Sequence, residues 1–419
     1  MRVFDFWRAP DFWRGSPAHP VARLLAPLGA VHGAIAGGRL VRPGLSAALP
    51  TIAIGGPTLG GDGKTPLALA VAARLAAMGE RPAFLTRGYG RRRGGLPEPF
   101  RVDPARHGAR EAGDEPLLLA RAATTIVGAD RGRAAKLAQE LGATVLVLDD
   151  GLHGRHLAPD LALLAIDADY GAGNGLCPPA GPLRAPLAAT LEALQAAVAI
   201  GEGAPGAALA ARLEALGKTV LRARFVIDAD TAARLHGERL LAFAGIARPE
   251  KFLRGLTEIG AEVVATRWFA DHYFFNPRDL EALEREARRL DARLVTTEKD
   301  AARIDPRAAM GIETAPVDLA FDCPEAIDAL LARTLEQARA IRERVGLNIC
   351  FREDFRMPPG ARGRFAVFTP LMRSSAYAIY STWRPLNLSK AKNSRWMTAR
   401  RFKSKSGGCQ SPRRNGRMV

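Results

Sequence analysis

Short apolar runs alternate with longer amphipathic stretches between residues 50 and 205, and this alternation predicts an α/β fold. Amphipathic, helix-like spacing fills the segments between the apolar runs. Strands that alternate with helices in this way predict a doubly wound parallel sheet. The predicted strands are Thr51–Ile54, Ala83–Thr86, Thr125–Val127, Thr144–Leu148 and Leu161–Ile166.

A glycine-containing stretch, Gly201–Gly206, predicts a boundary, so that residues 50–205 form the first α/β domain and 206–345 a second, smaller one. The second portion repeats the strand and helix patterns. Its predicted strands lie near Val220–Ile227, Leu240–Ala244, Glu262–Thr266 and Arg293–Thr296. Its predicted helices lie near Pro249–Leu256, Pro277–Leu290 and Pro324–Arg344.

Residues 1–49 form a third region, in which aromatic and arginine residues precede an apolar stretch. Asp5-Phe6-Trp7-Arg8 and Asp11-Phe12-Trp13-Arg14 come first, and an amphipathic run follows from residue 20 to 38. Arg23 and His32 interrupt this run, which makes it a poor spanning helix and favours a helix at a membrane–water interface. From these residues alone, a helix packed on the core of the protein is an equal alternative.

The charge of the chain is concentrated in its last segment. The formal net charge is +17, and residues 346–419 carry sixteen Lys/Arg, two Asp/Glu and eight of the ten serines. This abrupt change predicts a separate, disordered tail, for which a frameshifted or read-through terminus is one hypothesis. A basic arm for nucleic acid or anionic lipid is the functional alternative, although we do not expect nucleic acid as the partner of this chain.

Cysteine spacing excludes two classes of protein. Cys177, Cys323, Cys350 and Cys409 lie far apart and form no C-x-x-C pair, which argues against a zinc site and against a disulfide framework. A reducing, cytosolic setting follows. At 419 residues and 47% hydrophobic content, the chain is long enough to bury a large core in two or more domains.

The turn after the first predicted strand is dense in glycine and reads GGPTLGGDGKT over residues 55–65. Glycines let backbone N–H groups converge on phosphate oxygens, and a helix N-terminus adds partial positive charge. Lys64 would reach the β- and γ-phosphates and Thr65 would bind Mg²⁺. The strict motif requires glycine where this chain has Thr58, so an incidental strand-to-helix turn is the alternative. The predicted nucleotide-binding residues are Thr58, Leu59, Gly60, Gly61, Asp62, Gly63, Lys64 and Thr65.

An acidic pair follows the fourth predicted strand. Asp149 and Asp150 stand where the crevice of a parallel sheet opens, and carboxylates there bind the metal of a nucleoside triphosphate. Together with the glycine turn, they predict an ATP and Mg²⁺ site. An Asp-Asp-Gly turn or a helix cap is the alternative.

Eight phrases in order resemble those of tetraacyldisaccharide 4′-kinase, the enzyme of lipid A biosynthesis that phosphorylates the disaccharide precursor. They span about residues 5–345 and read GGDGKTP (60–66), TRGYGRR (86–92), GDEPLLLA (113–120), DDG (149–151), PAGPLR (179–184), FAGIARPEKF (243–252), ADHYFF (270–275) and TTEKDAARI (296–304). The resemblance implies a P-loop kinase that uses ATP and Mg²⁺ and acts on a lipid disaccharide at the cytoplasmic face of the bacterial inner membrane. It also favours membrane contact by the N-terminal helix. We infer no obligate protein partner.

The resemblance implies roles for further residues. Asp114 would deprotonate the sugar hydroxyl with the help of His272, whereas from the sequence alone Asp114 is more simply a helix cap and His272 a structural histidine. Arg131 and Arg184 are candidate cations for the transferring phosphoryl group or the lipid phosphate.

Three departures from the family pattern bear on activity. The family usually continues DDG with an aromatic residue, Gln and His, where this chain has Leu152, His153 and Gly154. Ala185 replaces a usual Glu, and Gly56 replaces a usual Asn. His153 or His156 could substitute for the missing imidazole. The alternative function is a nucleotide-binding protein of the same fold with weak or no kinase activity.

Overall fold

The computed structural model describes residues 10–91, 97–154, 156–305 and 308–345. The first predicted aromatic motif, Asp5 to Arg8, and the predicted tail, 346–419, lie outside the described residues. A short 3₁₀ helix, Asp11–Trp13, precedes the long helix α1 (Pro20–Leu40).

Within the described part of the chain, the larger sheet has nine strands in the order β13-β8-β7-β6-β1-β5-β2-β4-β3. Its two outermost pairings, β13 with β8 and β3 with β4, are antiparallel, and the others are parallel. The strands are β1 (Thr51–Gly55), β2 (Pro82–Thr86), β3 (Phe100–Arg101), β4 (Thr124–Val127), β5 (Val145–Leu148), β6 (Leu161–Asp167), β7 (Ala196–Ile200), β8 (Thr219–Ile227) and β13 (Val317–Phe321).

Helices cover both faces of this sheet, as the apolar runs predict. Leu67 and Leu75 pack on one face together with Leu331 of the last helix, and Ala134 and Leu209 pack on the other. Central strands such as β5 and β6 are buried along their whole length, which explains their continuous apolar character. The helices are α2 (Lys64–Ala77), α3 (Ala109–Ala112), α4 (Asp114–Ala122), α5 (Arg131–Glu140), α6 (Leu187–Glu192), α7 (Ala204–Ala215) and α12 (Pro324–Val345).

Residues 229–315 build a second, parallel sheet, and we call this region the small lobe. Its order among the described residues is β10-β9-β11-β12. Leu240 and Ala242 of the central strand face one core, and Leu241 and Phe243 face the other, as a period of two requires. The elements are α8 (Ala229–Leu235), β9 (Arg239–Ala244), α9 (Pro249–Glu258), β10 (Glu262–Trp268), α10 (Pro277–Arg289), β11 (Arg293–Thr297), α11 (Glu298–Ala301) and β12 (Ile312–Ala315).

The predicted boundary between residues 205 and 206 does not coincide with a boundary between the sheets. Gly203 is the N-cap of α7, and this helix returns the chain so that β8 pairs in parallel with β7. The chain then forms the small lobe and comes back as β13, which pairs with β8. The glycines of this stretch therefore mark a strand-to-helix loop. The predicted division at residue 205 separates β8 and β13 from the large sheet to which they belong.

Helix α1 packs through its glycines and exposes an apolar stripe. A Cβ placed on Gly29 or Gly33 would meet Cys177 within 3.1 Å, so these glycines permit the close approach of α1 to this residue. The opposite side carries large apolar side chains spaced three and four residues apart, all of them exposed: Val21, Leu24, Leu28, Val31 and Ile35. By length and composition, α1 could also cross a membrane.

Candidate active site

A cavity of about 1130 Å³ opens where the carboxyl ends of the large-sheet strands meet the small lobe. The turn before α2, the acidic pair after β5 and the N-terminal part of α9 all line it. Among the predicted site residues, Thr58, Asp114 and Arg131 stand behind the lining. The predicted residues that line the cavity are Leu59, Gly60, Gly61, Asp62, Gly63, Lys64, Thr65, Asp149, Asp150, Arg184 and His272.

The glycine turn has the conformation that a phosphate-binding loop requires. Gly63 has a φ of 87° and is the N-cap of α2, which begins at Lys64. An L-residue would be strained there, and an added Cβ would also lie 2.7 Å from the side chain of Ile200. The first turn of α2 therefore presents free backbone N–H groups to the cavity, together with the positive end of the helix dipole.

The buried carboxylate of Asp62 lies inside the turn and explains two departures. Thr58 departs from the strict phosphate-binding motif, and Gly56 departs from the family pattern. The backbone N–H and the hydroxyl of Thr58 both donate to the buried carboxylate of Asp62, the former over 3.0 Å. A Cβ at Gly56 would lie 2.2 Å from that carboxylate. Thr58 and Gly56 thus belong to one internal arrangement, in which the Asp62 side chain occupies the space that a side chain at position 56 would need.

The segment before α6 braces the turn from outside. Leu59 donates its backbone N–H to the carbonyl of Pro182 over 3.1 Å. The Arg184 guanidinium donates to the carbonyl of Thr58 over 2.7 Å and pairs with Asp150 at 2.8 Å. Arg184 therefore connects the phosphate-binding turn to the acidic pair.

The acidic pair sits at the end of β5 beside Lys64. Burial raises the pKa of Asp149 to about 7, and the charges of Glu115 and Asp150 add to this effect. Burial would raise the pKa of Asp150 as well, but the charges of Arg184 and Lys64 outweigh it and lower this pKa. Within the described residues, Oδ1 of each aspartate is buried without a hydrogen-bond partner, so each offers an acceptor for a ligand.

Arg131 supports this pair from behind. Its side chain is buried, and its guanidinium donates to the carbonyl of Gly128 over 3.4 Å. Burial and the charge of Arg87 lower the pKa of Arg131 to about 10, against the opposing charges of Asp149 and Asp150. It stays cationic at neutral pH and balances the two carboxylates.

Asp114 and His272 are in direct contact at one end of the cavity, although 158 residues separate them in the sequence. Nδ1 of His272 lies 2.9 Å from Oδ2 of Asp114, and Nε of Arg303 donates to the same oxygen over 2.9 Å. Burial alone would raise the pKa of Asp114, but the hydrogen bond of His272 and the charges of Lys299 and Arg303 hold it well below its usual range. Asp114 is therefore an ionised, buried carboxylate.

Four further charged residues surround Asp114 and His272, and the sequence analysis assigns them no role. They are Glu115, Lys299, Asp300 and Arg303. Lys299 lies 3.1 Å from Glu115 and 3.5 Å from Nε2 of His272. Arg303 is fully buried and also pairs with Asp300 at 3.0 Å. Glu115 belongs to the phrase GDEP and the other three residues belong to TTEKDAARI, but only folding brings these two phrases into contact.

Arg248, in the phrase FAGIARPEKF, was also missed. Its guanidinium donates to the carbonyls of Gly60 and Gly61 over 3.0 and 3.1 Å, and it pairs with Asp167 at the end of β6. It also stacks over the ring of Tyr170, 3.9 Å from the ring centroid. The small lobe thus holds the phosphate-binding turn through one arginine.

Two histidines, His153 and His156, lie beside Gly154, the position at which the family usually has a histidine. Burial, together with the charge of Arg184, lowers the pKa of His153 to about 4, so its ring is neutral at physiological pH. Both its ring nitrogens are buried without a hydrogen-bond partner among the described residues. Nε2 of His156 lies 3.0 Å from the Arg87 guanidinium, and a Cβ at Gly154 would lie 2.9 Å from the same guanidinium. His156 and Arg87 therefore border the space that a side chain at position 154 would need.

The parallel sheet, with its glycine turn leading into a helix, places the chain in the P-loop class of nucleotide-binding α/β proteins. A crystal structure of LpxK from Aquifex aeolicus in complex with ATP shares this fold, with a TM-score of 0.58 over 75% of this chain and 99% of that one, at 22% identity. The family model for tetraacyldisaccharide-1-P 4′-kinase matches residues 21–336.

Relatives named tetraacyldisaccharide 4′-kinase agree with the family match. The protein of Methylobacterium radiotolerans is 53% identical over 320 residues, which cover 76% of this chain and 96% of the relative. That of Methylobacterium sp. (strain 4-46) is 51% identical over 339 residues, covering 81% and 99%. This chain belongs to the tetraacyldisaccharide 4′-kinase family.

Proposed function

We propose that this chain transfers the γ-phosphate of ATP to the 4′-hydroxyl of a tetraacylated disaccharide 1-phosphate, forming lipid IVA in lipid A biosynthesis. Family membership gives the reaction. The observation that carries the proposal is an ionised, buried carboxylate, Asp114, bound to His272 across a cavity from the phosphate-binding turn and Lys64.

The nucleotide side of the proposal depends on the turn before α2. Free N–H groups at the N-terminus of α2 would bind phosphate oxygens, and Lys64 would balance the charge of the β- and γ-phosphates. The ammonium of Lys64 lies 3.9 Å from the carboxylate of Asp62, which is too far for a strong ion pair. It therefore remains available to a polyphosphate.

The donor set fits Mg²⁺. The described residues contain no cluster of three or more His, Cys, Asp or Glu side chains that could hold a metal by themselves. Mg²⁺ is usually bound by one or two carboxylates together with substrate phosphates and water, and the free oxygens of Asp149 and Asp150, with the Thr65 hydroxyl, suit that arrangement. When bound, Mg²⁺ would neutralise charge that develops on the phosphate oxygens.

Asp114 would act as the base. Among the described residues, its two side-chain contacts fall on Oδ2, which leaves Oδ1 to accept the proton of the sugar hydroxyl as that oxygen attacks phosphorus. A strongly ionised carboxylate is a weak base, so positioning carries most of the rate, as in other phosphoryl transfers. Arg184 and Arg131 would balance charge on the transferring group and on the acidic pair.

A lipid acceptor requires a route from the bilayer, and α1 would provide it. The apolar stripe of α1 is exposed, while His32, Ala36 and Arg39 of the same helix line the cavity. We therefore infer that α1 lies on the cytoplasmic face of the inner membrane and presents the cavity to the lipid. Replacing Leu24 and Leu28 with Ser should reduce flotation with anionic vesicles, whereas unchanged flotation would contradict this placement.

The reaction is tested with purified protein, labelled ATP, Mg²⁺ and the tetraacylated disaccharide 1-phosphate. The expected result is a doubly phosphorylated lipid whose label comes from the γ-position. A protein that binds ATP by calorimetry but forms no such lipid would instead be the nucleotide-binding protein without kinase activity.

A further inference from the structure

We propose that Tyr170 is a positioning residue for the bound triphosphate, because it holds Arg248 against the phosphate-binding turn. Residues 11–14, the N-terminal segment, keep Tyr170 in place. This inference rests on the proposed function, since it gives these residues a task in binding ATP. It concerns the motif Asp11-Phe12-Trp13-Arg14, to which the reaction itself gives no role.

Arg248 contacts the turn through two nitrogens of its guanidinium. Nη2 donates to the carbonyl of Gly60 over 3.0 Å, and Nη1 donates to that of Gly61 over 3.1 Å. Gly61 has a φ of 75°, and a Cβ there would lie 2.8 Å from Nε of Arg248. Because the N–H groups of a guanidinium are fixed in its plane, both hydrogen bonds are kept only in one orientation of that plane.

The carboxylates near Arg248 do not set this orientation by themselves. Asp167 contacts Arg248 through Oδ2, while its Oδ1 pairs with Lys251 at 2.8 Å. Asp62 lies 3.7 Å from Nη2 of Arg248, beyond hydrogen-bond distance. A carboxylate that binds an arginine through one oxygen lets the guanidinium turn about that contact, whereas a bidentate pair does not.

The ring of Tyr170 supplies the contact that sets the plane. The guanidinium carbon of Arg248 lies 3.9 Å from the ring centroid, which is a stacking distance. Burial raises the pKa of Tyr170 to about 12, so the hydroxyl stays protonated and the ring contributes its face. Tyr170 thereby directs the two N–H donors of Arg248 at the turn.

The N-terminal segment packs on the connection between β6 and α6, residues 168–186. The buried Asn174 donates its backbone N–H to the carbonyl of Trp13 over 2.8 Å and its side-chain amide to the carbonyl of Phe12 over 3.2 Å. The indole N–H of Trp13 donates to the carbonyl of Pro179 over 3.1 Å. These three hydrogen bonds fix the segment to the connection.

Tyr170 belongs to this connection, and Arg14 lies over its ring. The guanidinium carbon of Arg14 is 5.7 Å from the ring centroid. A Cβ on Gly173 would lie 2.5 Å from the side chain of Pro182 and 2.7 Å from the carbonyl of Trp13, so the connection and the segment are closely packed. The N-terminal segment therefore limits how far the Tyr170 ring can move.

The first test is a double-mutant cycle on ATP affinity, measured by calorimetry with Mg²⁺ in detergent without lipid, so that membrane contact plays no part. Tyr170→Leu should raise the Kd for ATP about fivefold, whereas Tyr170→Phe, which keeps the ring face, should stay within about twofold. The double variant Tyr170→Leu/Arg248→Met should stay within about twofold of Arg248→Met alone, because Tyr170 acts through the arginine. Losses that multiply, or wild-type affinity in Tyr170→Leu, would overturn the proposal.

The second test concerns the N-terminal segment. Trp13→Ala should raise the Kd for ATP about threefold, because it removes the indole hydrogen bond that fixes the connection. Arg23→Ala, at an exposed position of α1, is the control and should leave the Kd unchanged. Equal ATP affinity in Trp13→Ala and the wild type would overturn the role assigned to the segment.

Steady-state kinetics separate this inference from the proposed function. Tyr170→Leu should raise the KM for ATP about fivefold and leave kcat within about twofold, since Lys64 and Asp114 are untouched. A fall in kcat with an unchanged KM would contradict a positioning role at the turn. If Tyr170→Leu weakens ATP binding as expected but the wild type phosphorylates no lipid, the proposed function fails and the role of Tyr170 stands.

Discussion

The two ends of the cavity are built by different means. At the end that we propose for nucleotide, the nucleotide end, one continuous segment supplies the glycine turn, which offers mainly backbone N–H groups and a helix terminus. At the end that we propose for the sugar hydroxyl, the acceptor end, side chains from both lobes form a charged network, in which Arg303 contacts Asp114, 189 residues away in the sequence. A local motif therefore predicts the first end, whereas only the folded chain assembles the second.

Replacing Lys64 with Ala should have the largest effect. This removes the cation nearest the expected phosphates, and we expect kcat/KM for lipid phosphorylation to fall about 10³-fold. Labelled-ATP assays measure this, with Lys136→Ala, an exposed lysine of α5, as the control. If a correctly folded Lys64→Ala protein formed lipid product at a near wild-type rate, Lys64 and its turn would not be the nucleotide-binding end of the cavity.

Replacing Asp114 with Asn tests the acceptor end. The amide keeps the shape but cannot take the hydroxyl proton, so kcat should fall about 10²-fold. The KM for ATP should stay within about twofold, because the side-chain contacts of Asp114 are with His272 and Arg303 and not with the turn. Asp230→Asn, at an exposed site in α8, serves as the control. Equal losses in kcat and in ATP affinity would indicate a structural role for Asp114 at both ends.

The same contrast between local and long-range contacts separates the strands that the sequence predicts from those that it does not. Strands β1, β5 and β6 were predicted to within one or two residues, because each is buried along its whole length between helices and so reads as a continuous apolar run. β7 was missed: its alanine-rich residues, Ala196–Ile200, resemble the helices beside them. β13 was missed because its partner, β8, lies about 90 residues earlier in the chain.

The site shows the same limit more sharply. Lys64 could be inferred from a strand, a turn and a helix that are consecutive, and the acidic pair from its place directly after a buried strand. Lys299 and Arg303 could not, because their roles depend on how the small lobe packs against α4, which supplies the carboxylates that they contact. Arg248 belongs to the same class, as its partners are carbonyls of a turn about 190 residues away. No local pattern encodes such contacts.

Arg248 connects the two ends, and its removal should have an intermediate effect. Arg248→Met leaves two carbonyls of the phosphate-binding turn without their charged donor, and hydrogen bonds that involve charged groups make a net contribution of about 1.5–3 kcal/mol each. We expect the KM for ATP to rise about tenfold while kcat changes less. Arg254→Met on α9, the helix that Arg248 precedes as N-cap, is the matched control, because Arg254 is exposed and pairs with Asp169. A fall in kcat alone would place Arg248 with the acceptor end.

The smallest predicted effect is on stability and concerns Asp114 again. Its folded-state pKa is held below the unfolded value of about 3.9, so its ionisation stabilises the fold above that pH, and this contribution is lost as pH falls through the folded pKa. At pH 6.5, Asp114→Asn should therefore be less stable than the wild type by about 1 kcal/mol in urea unfolding, since Arg303 loses one of its two carboxylate partners. The difference should persist down to about pH 4 and shrink at lower pH, where the unfolded wild-type chain begins to bind the proton that the folded state still excludes. A constant difference at all pH values would mean that packing, and not charge, makes Asp114 contribute to stability, and the acceptor end would then depend less on its charged network than its geometry indicates.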